Sequence, residues 1–269
     1  MAATSLLWSI TLPASPAPSF VFGTMHVRDA RAYGRIDTVY AALDRCRIFA
    51  TEFDLDSVGD NHDPTALYLD GDTTLQDYLS PRNYLRLRSI LHRAFDFNLD
   101  RHRRLRPMII SNLLGEQVLA GQFAESLDVH LWTRATARGM ELTGLESYAS
   151  QRELLQQLPV ATQLKSLLAI GRHPARFRRQ TQRLADLYAA GRLDTLYQTT
   201  RRGAGGMRAA LIFQRNRRMA ARIDELARRA PLFAAVGAAH LPGGKGVLRL
   251  LKQRGWRVRP VATLPTAVE

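Results

Sequence analysis

Cysteine and long apolar runs are nearly absent from this chain of 269 residues. Its single cysteine, Cys46, excludes an internal disulfide and any cysteine-rich zinc site. No apolar run approaches the roughly 18 residues that a membrane span requires. The first twenty residues carry no Lys or Arg ahead of their short apolar stretch, so the charged start of a secretory signal is missing. These absences predict a soluble, cytoplasmic protein without a membrane span.

Lysine is also scarce, because arginine supplies most of the positive charge. Lysine occurs only at Lys165, Lys245 and Lys252, although the chain has 38 basic and 24 acidic residues and a formal net charge of +14. A GC-rich genome would produce the same arginine bias, and helical arginines usually lie on a solvated face. The arginine-rich segments 101–106 and 172–179 could bind phosphate, but we do not expect nucleic-acid binding to be the main role.

Several catalytic signatures are missing. The chain has neither His-Glu-x-x-His nor Gly-x-Ser-x-Gly, and Gly243–Gly246 lacks the spacing and the Ser/Thr of a phosphate-binding loop. The sequence therefore argues against serine catalysis and nucleotide hydrolysis.

A repeated tetrapeptide is the strongest signal that is present. Gly-x-x-His occurs at Gly23–His26 and at Gly237–His240, each time after a short apolar run typical of a buried strand. A glycine at a strand end lets the backbone turn sharply, which places each histidine at the rim of the sheet where open α/β sheets bind ligands. His26 and His240 are therefore predicted to meet at one site.

Two carboxylates are predicted at the same rim. Glu52 lies at the end of a predicted strand over residues 47–53, and Glu146 follows another over residues 140–145. Two imidazoles and two carboxylates suit a divalent Mn, Co or Zn ion, which lowers the pKa of bound water to about 7 and polarises a carbonyl. We predict His26, His240 and Glu52 as metal ligands, with general base as the alternative role for Glu52.

Three further polar residues complete the candidate catalytic set. Asp128 opens a predicted helix, and Arg215 with Asn216 forms a polar pair within another. Asp128 and Glu146 are expected to orient the ligands, and Arg215 with Asn216 to contact the substrate or a developing oxyanion. The ordinary alternatives are a first-turn carboxylate for Asp128 and an exposed helical cation for Arg215.

The order of predicted elements indicates the α/β class with a central mixed sheet. Both ends of the chain show the order strand, Gly-x-x-His, helix, strand, so two such units would form the core. Helical patterns prevail at about residues 64–126 and 150–230, which we interpret as insertions into one domain over residues 1–269; one helix is predicted over Gln151–Ile170. The long helices could also pair in a homodimer.

Taken in order, these motifs resemble the TraB/GumN family, which is related to the Tiki metalloproteases and the PrgY pheromone-inhibition proteins. The resemblance covers nearly the whole chain and rests on the segments Leu7–Ile10, Phe22–Asp29, Thr51–Leu55, Gly144–Ser147, Gln214–Met219 and Ala235–Gly243. It implies an active site with both Gly-x-x-His histidines and Glu52, divalent-metal-dependent proteolysis, and a fold like erythromycin esterase and the ChaN haem-binding proteins.

Two functions remain open at this point. The first is a metal-dependent hydrolase, most simply a peptidase that acts on a peptide or protein substrate. The alternative is a non-catalytic protein of the PrgY type, which would bind and sequester a peptide in the same cleft without turnover.

Overall fold

The chain divides into two compact units in the computed structural model, which describes residues 5–13, 17–55, 64–203 and 209–262. The sheet unit comprises Met1–Asp60, Gly121–Tyr148 and Leu184–Glu269, and the helical unit comprises Asn61–Ala120 and Ala149–Arg183. The helical unit overlaps both predicted insertions. The interpretation of residues 1–269 as a single domain with those insertions stays a prediction.

One mixed sheet organises the sheet unit. In the described residues it has six strands in the order β4-β3-β5-β2-β1-β6. The strands are β1 Leu7–Thr11, β2 Ser19–Thr24, β3 Ile48–Phe53, β4 Glu141–Glu146, β5 Leu232–Gly237 and β6 Arg257–Pro260. The predicted α/β class and mixed sheet are thereby confirmed, and β1 pairs with β2 as an antiparallel hairpin.

Helices form most of the remaining described structure. The α-helices are α1 Ala30–Tyr33, α2 Ile36–Leu43, α3 Leu75–Tyr78, α4 Pro81–Phe95, α5 Pro107–Val118, α6 Leu127–Ala137, α7 Tyr148–Gln157, α8 Val160–Arg172, α9 Pro174–Ala189, α10 Leu193–Gly203, α11 Arg215–Arg229 and α12 Val247–Gln253. Short 3₁₀ turns cover Pro64–Leu67, Asp100–His102 and Ala238–His240, and a π-helix covers Ala209–Gln214.

Strand direction places the carboxyl ends of four neighbouring strands at one rim. β2, β5, β3 and β4 run parallel to one another, whereas β1 is antiparallel to both β2 and β6. β5 lies between β2 and β3, and its segment Leu232–Val236 is fully buried. A continuous apolar run of this kind is expected for a parallel strand covered on both faces.

Helix pairs cover the sheet. α2 packs on α6, where Tyr40 hydrogen-bonds His130 and Arg134 pairs with Asp44. α11 contacts the segment after α12 through the Trp256 indole N–H, which donates to Asp224 at 2.8 Å. The crossovers β2→β3 and β5→β6 run in opposite directions along the sheet, so right-handed connections would place α2 and α12 on opposite faces.

One predicted helix is wrong. The segment Gln151–Ile170 forms two helices, α7 and α8, because Pro159 stands at the N-cap of α8. Proline lacks the N–H that an uninterrupted helix needs, and its ring clashes with the preceding turn. Within the ranges described above, no helix has both the length and the apolar character needed to cross a bilayer.

Candidate functional site

The sheet rim brings together the strand ends that carry the predicted residues. Thr24 at the end of β2 is in register with Gly237 at the end of β5, so the two Gly-x-x-His motifs follow neighbouring strands. On the other side of β5, Glu52 lies on β3, and the last residue of β3 is in register with Glu146 on β4. All of these residues lie in the sheet unit.

Gly237 allows a carboxylate to approach the second motif closely. Its backbone N–H donates to Glu52 Oε1 at 2.7 Å. A Cβ at this position would lie 3.0 Å from Glu52 Oε1 and 3.4 Å from His240 Cδ2. A side chain here would therefore displace either the Glu52 carboxylate or the His240 imidazole. Glycine is thus favoured at this position for steric reasons as well as for its backbone freedom.

Glu52 is ionised at any physiological pH. Burial alone would raise the pKa of its carboxyl, but the charge of the protonated form of His240, the charge of Arg215 and the Gly237 N–H lower that pKa to about 2. Glu52 Oε1 accepts a hydrogen bond from the Gly237 N–H of the second Gly-x-x-His motif. Glu52 Oε2 accepts one from a terminal nitrogen of Arg215. Both carboxylate oxygens are thus held in fixed directions.

The hydrogen bonds of Asn216 fix the tautomer of His240. Asn216 Nδ2 donates to the Lys245 carbonyl at 2.7 Å, which turns Oδ1 toward His240 Nδ1 at 2.6 Å. Nδ1 must then carry the proton, so Nε2 holds the lone pair. Burial lowers the pKa of His240, which keeps the ring neutral near pH 7. Nε2 lies 3.8 Å from Glu52 Oε1.

Two arginines from the first turn of α11 enclose Glu146. The Glu146 side chain is 0% exposed, and its Oε2 accepts from Arg215 Nε at 2.6 Å. Its Oε1 accepts from Arg218 Nε at 2.9 Å. Positions three apart share one helix face, so Arg215 and Arg218 reach the same carboxylate. Arg215 bridges Glu52 and Glu146, which makes the network continuous from β3 to β4.

The first motif contacts the start of α6. His26 Nδ1 lies 3.3 Å from Ser126 Oγ and 3.4 Å from Asp128 Oδ2. Asp128 Oδ1 accepts from the Thr24 hydroxyl at 2.6 Å, whereas Oδ2 is buried and has no hydrogen-bond partner in the described structure. The His26 side chain is 58% exposed, so this imidazole is accessible to solvent.

The predicted residues thus form two pairs, His26 with Asp128 and His240 with Glu52, together with the Arg215 network. In the residues that the structure describes, no group of three or more His, Cys, Asp or Glu side chains has the arrangement of a metal site. The catalytic and ligand roles assigned from the sequence stay predictions.

Sequence reasoning missed three residues of this site. Arg218 could have been found, since it lies one helical turn after Arg215. Thr24 and Ser126 carry no comparable signal. Each is a short hydroxyl next to a predicted residue, and only the fold brings Thr24 to Asp128 and Ser126 to His26.

Known proteins match the chain over nearly its full length. A family model described as the TraB/PrgY/gumN family matches residues 6–260. The "Metalloprotease TIKI2" of Danio rerio is 25% identical over 314 residues, an alignment that covers 94% of this chain and 60% of the relative. This chain therefore spans about 60% of the length of that curated relative. No solved structure gives a significant match.

Proposed function

The chain belongs to the TraB/PrgY/gumN family, and we propose that it is a divalent-metal-dependent hydrolase that cleaves peptide bonds. The relative's name, metalloprotease, supports the reaction class. One observation carries the proposal: each Gly-x-x-His histidine follows one of two neighbouring parallel strands and has its Nδ1 beside a fixed acceptor, Asn216 for His240 and Asp128 for His26.

This arrangement is typical of histidines that bind metals. Such an imidazole uses one nitrogen for the ion and directs the other at a carboxylate or carbonyl oxygen, which fixes the ring and its tautomer. Asn216 serves His240 in this way, and the unsatisfied Oδ2 of Asp128 is the carboxylate oxygen 3.4 Å from His26 Nδ1. Both acceptors lie outside the proposed ligand set and act as positioning residues.

The donor atoms at the rim fit a divalent ion of the Mn, Co or Zn type. The neutral His240 offers a lone pair on Nε2, and the ionised Glu52 lies 3.8 Å from it. Two ligands of a tetrahedral zinc site are about 3.4 Å apart, so a small shift would bring this pair onto one ion. We propose His240, Glu52 and His26 as its ligands. When bound, the ion would polarise the scissile carbonyl.

The structure supports different tasks for the charged residues. A carboxylate with a pKa near 2 is a weak base, which favours the ligand role for Glu52 over general-base catalysis. Arg215 already binds two carboxylates, so it holds Glu52 in place rather than contacting an oxyanion. Arg218 exposes 43% of its side chain beside the network and is the better candidate for a substrate contact.

Non-catalytic peptide binding is the second candidate function. The observation that favours it is the separation of the predicted ligands into two pairs in the described residues. In that case a peptide would occupy the rim without being cleaved.

Hydrolysis of quenched fluorescent peptides tests the proposal. Chelated protein reloaded with Mn, Co or Zn should cleave a mixed peptide library, and His240→Ala should abolish cleavage. His92→Ala, at a histidine that is 68% exposed in the helical unit, is the matched control and should retain full activity. Peptide binding without cleavage under every loading condition would support the second candidate instead.

A further inference from the structure

The helical unit carries a strongly basic surface without a matching set of acids. Residues 154–185 contain six Lys or Arg and no Asp or Glu. Three of these arginines, Arg176, Arg179 and Arg183, follow one another on α9 at spacings of three and four and are all exposed. They therefore share one helix face and form a row about 10 Å long. We call these three residues the α9 arginine row.

Arginine bias alone does not account for this row. On α11, by contrast, the exposed arginines Arg222, Arg228 and Arg229 all have acidic partners. No carboxylate of the described residues lies within ion-pair distance of the row. A biased genome supplies arginines, but it does not remove the acids around them.

The row also works against the helix that carries it. Like charges three and four residues apart repel, and Arg176 lies in the first turn of α9, where the helix dipole disfavours a cation. Arg172, at the end of α8, adds a further exposed cation four residues before Arg176. A bound anionic surface would relieve this repulsion.

We propose that the α9 arginine row docks the protein on an anionic phospholipid surface. Clusters of four to eight basic residues bind such surfaces electrostatically, and the α9 arginine row reaches four together with Arg172. Planar guanidinium groups also pair well with phosphates. The exposed large hydrophobics of the described chain are Tyr68, Tyr78 and Leu85, none of which lies on α8 or α9. Contact is therefore peripheral, without apolar insertion.

The same absence of aromatics argues against single-stranded nucleic acid as the partner. Proteins that bind single strands stack bases on exposed aromatic side chains. The aromatic residue of α9 nearest the row, Phe177, instead packs edge-on against Phe95 inside the helical unit. Duplex DNA remains a competitor and is included in the test.

Vesicle co-sedimentation tests the docking surface. The protein should bind phosphatidylcholine vesicles that contain phosphatidylglycerol, and added salt should weaken the binding. Each arginine near the surface is worth about fivefold in affinity, so the triple variant Arg176→Gln/Arg179→Gln/Arg183→Gln should bind about a hundredfold more weakly. Glutamine is a good helix former, and the variant should unfold at an equal or higher temperature.

The matched control removes the same charge from another helix. Arg222→Gln/Arg228→Gln/Arg229→Gln should lower vesicle affinity by less than about threefold, because these arginines are neutralised by acids. Equal losses in both triple variants would mean that net charge alone is responsible and would overturn the proposal.

Two other results would also overturn the docking proposal. One is the absence of binding to phosphatidylglycerol vesicles. The other is tighter binding of duplex DNA through the same row, which would make it a nucleic-acid surface. The outcome is independent of peptide hydrolysis, since the row and the rim residues belong to different units.

Discussion

Replacing Glu52 with glutamine should remove a large part of the acid sensitivity of the sheet unit. Burial raises the pKa of this carboxyl, but His240, Arg215 and the Gly237 N–H lower it to about 2, against an ordinary value of 4.5. Each pKa unit corresponds to about 1.4 kcal/mol, so the ionised carboxylate contributes up to about 3 kcal/mol to the free energy of unfolding while His240 is protonated, and less once that ring is neutral. Because folding lowers the pKa of Glu52, its carboxylate stabilises the folded state above pH 4.5. This stabilisation is lost as the pH falls toward 2.

Urea unfolding followed by tryptophan fluorescence measures this contribution. All three tryptophans, Trp8, Trp132 and Trp256, are buried in the sheet unit, so their emission reports on the unit that carries the site. The free energy of unfolding of wild type should exceed that of Glu52→Gln by up to about 3 kcal/mol more above pH 4.5 than near pH 2. Glu225→Gln, at an exposed carboxylate of the same unit, controls for loss of one charge.

The pH dependence of the difference decides the outcome. A constant offset between wild type and Glu52→Gln at all pH values would show that the carboxylate is not held ionised by its neighbours. Glu52 would then lack the low pKa on which its proposed role as a metal ligand rests.

Two further substitutions and one labelling experiment test individual residues. Asn216→Leu should leave the His240 Nδ1–H without an acceptor and lower the free energy of unfolding by about 1–3 kcal/mol in a urea titration; an unchanged stability would contradict the assigned tautomer. Gly237→Ala should reduce peptide cleavage, because its Cβ would lie 3.0 Å from the Glu52 carboxylate, whereas Gly244→Ala, with nothing within 4 Å, should leave the rate unchanged. Burial raises the pKa of the Cys46 thiol to about 12, so iodoacetamide should label the native protein slowly at pH 8 and the urea-unfolded protein quickly; equal labelling rates would contradict that burial.

Local sequence signals were sufficient to predict the rim. A glycine after an apolar run marks a strand end, and this signal places His26 and His240 beyond β2 and β5. Strand alternation likewise places Glu52 near the end of β3. Parallel strands carry their carboxyl ends at one edge, which is why residues more than 200 positions apart in the sequence share a rim.

The partners of these residues could not be predicted in the same way. Hydrophobic periodicity identifies strands but not their neighbours, so nothing in the sequence places β5 between β2 and β3. The bridge from Arg215 to Glu52 and Glu146 depends on that order and on the start of α11. The contact of Asn216 with His240 likewise depends on the Lys245 carbonyl, a backbone atom that side-chain motifs do not report.

Metal content of the purified protein tests the central claim most directly. After chelation and reloading with Mn, Co or Zn, mass spectrometry should find close to one ion per wild-type chain and none in the His26→Ala/His240→Ala variant. The control variant His92→Ala/His173→Ala removes two exposed histidines of the helical unit and should retain the ion. Wild-type protein that holds no ion under any loading condition would contradict the proposed metal-dependent hydrolase. Non-catalytic peptide binding would then be the better-supported function.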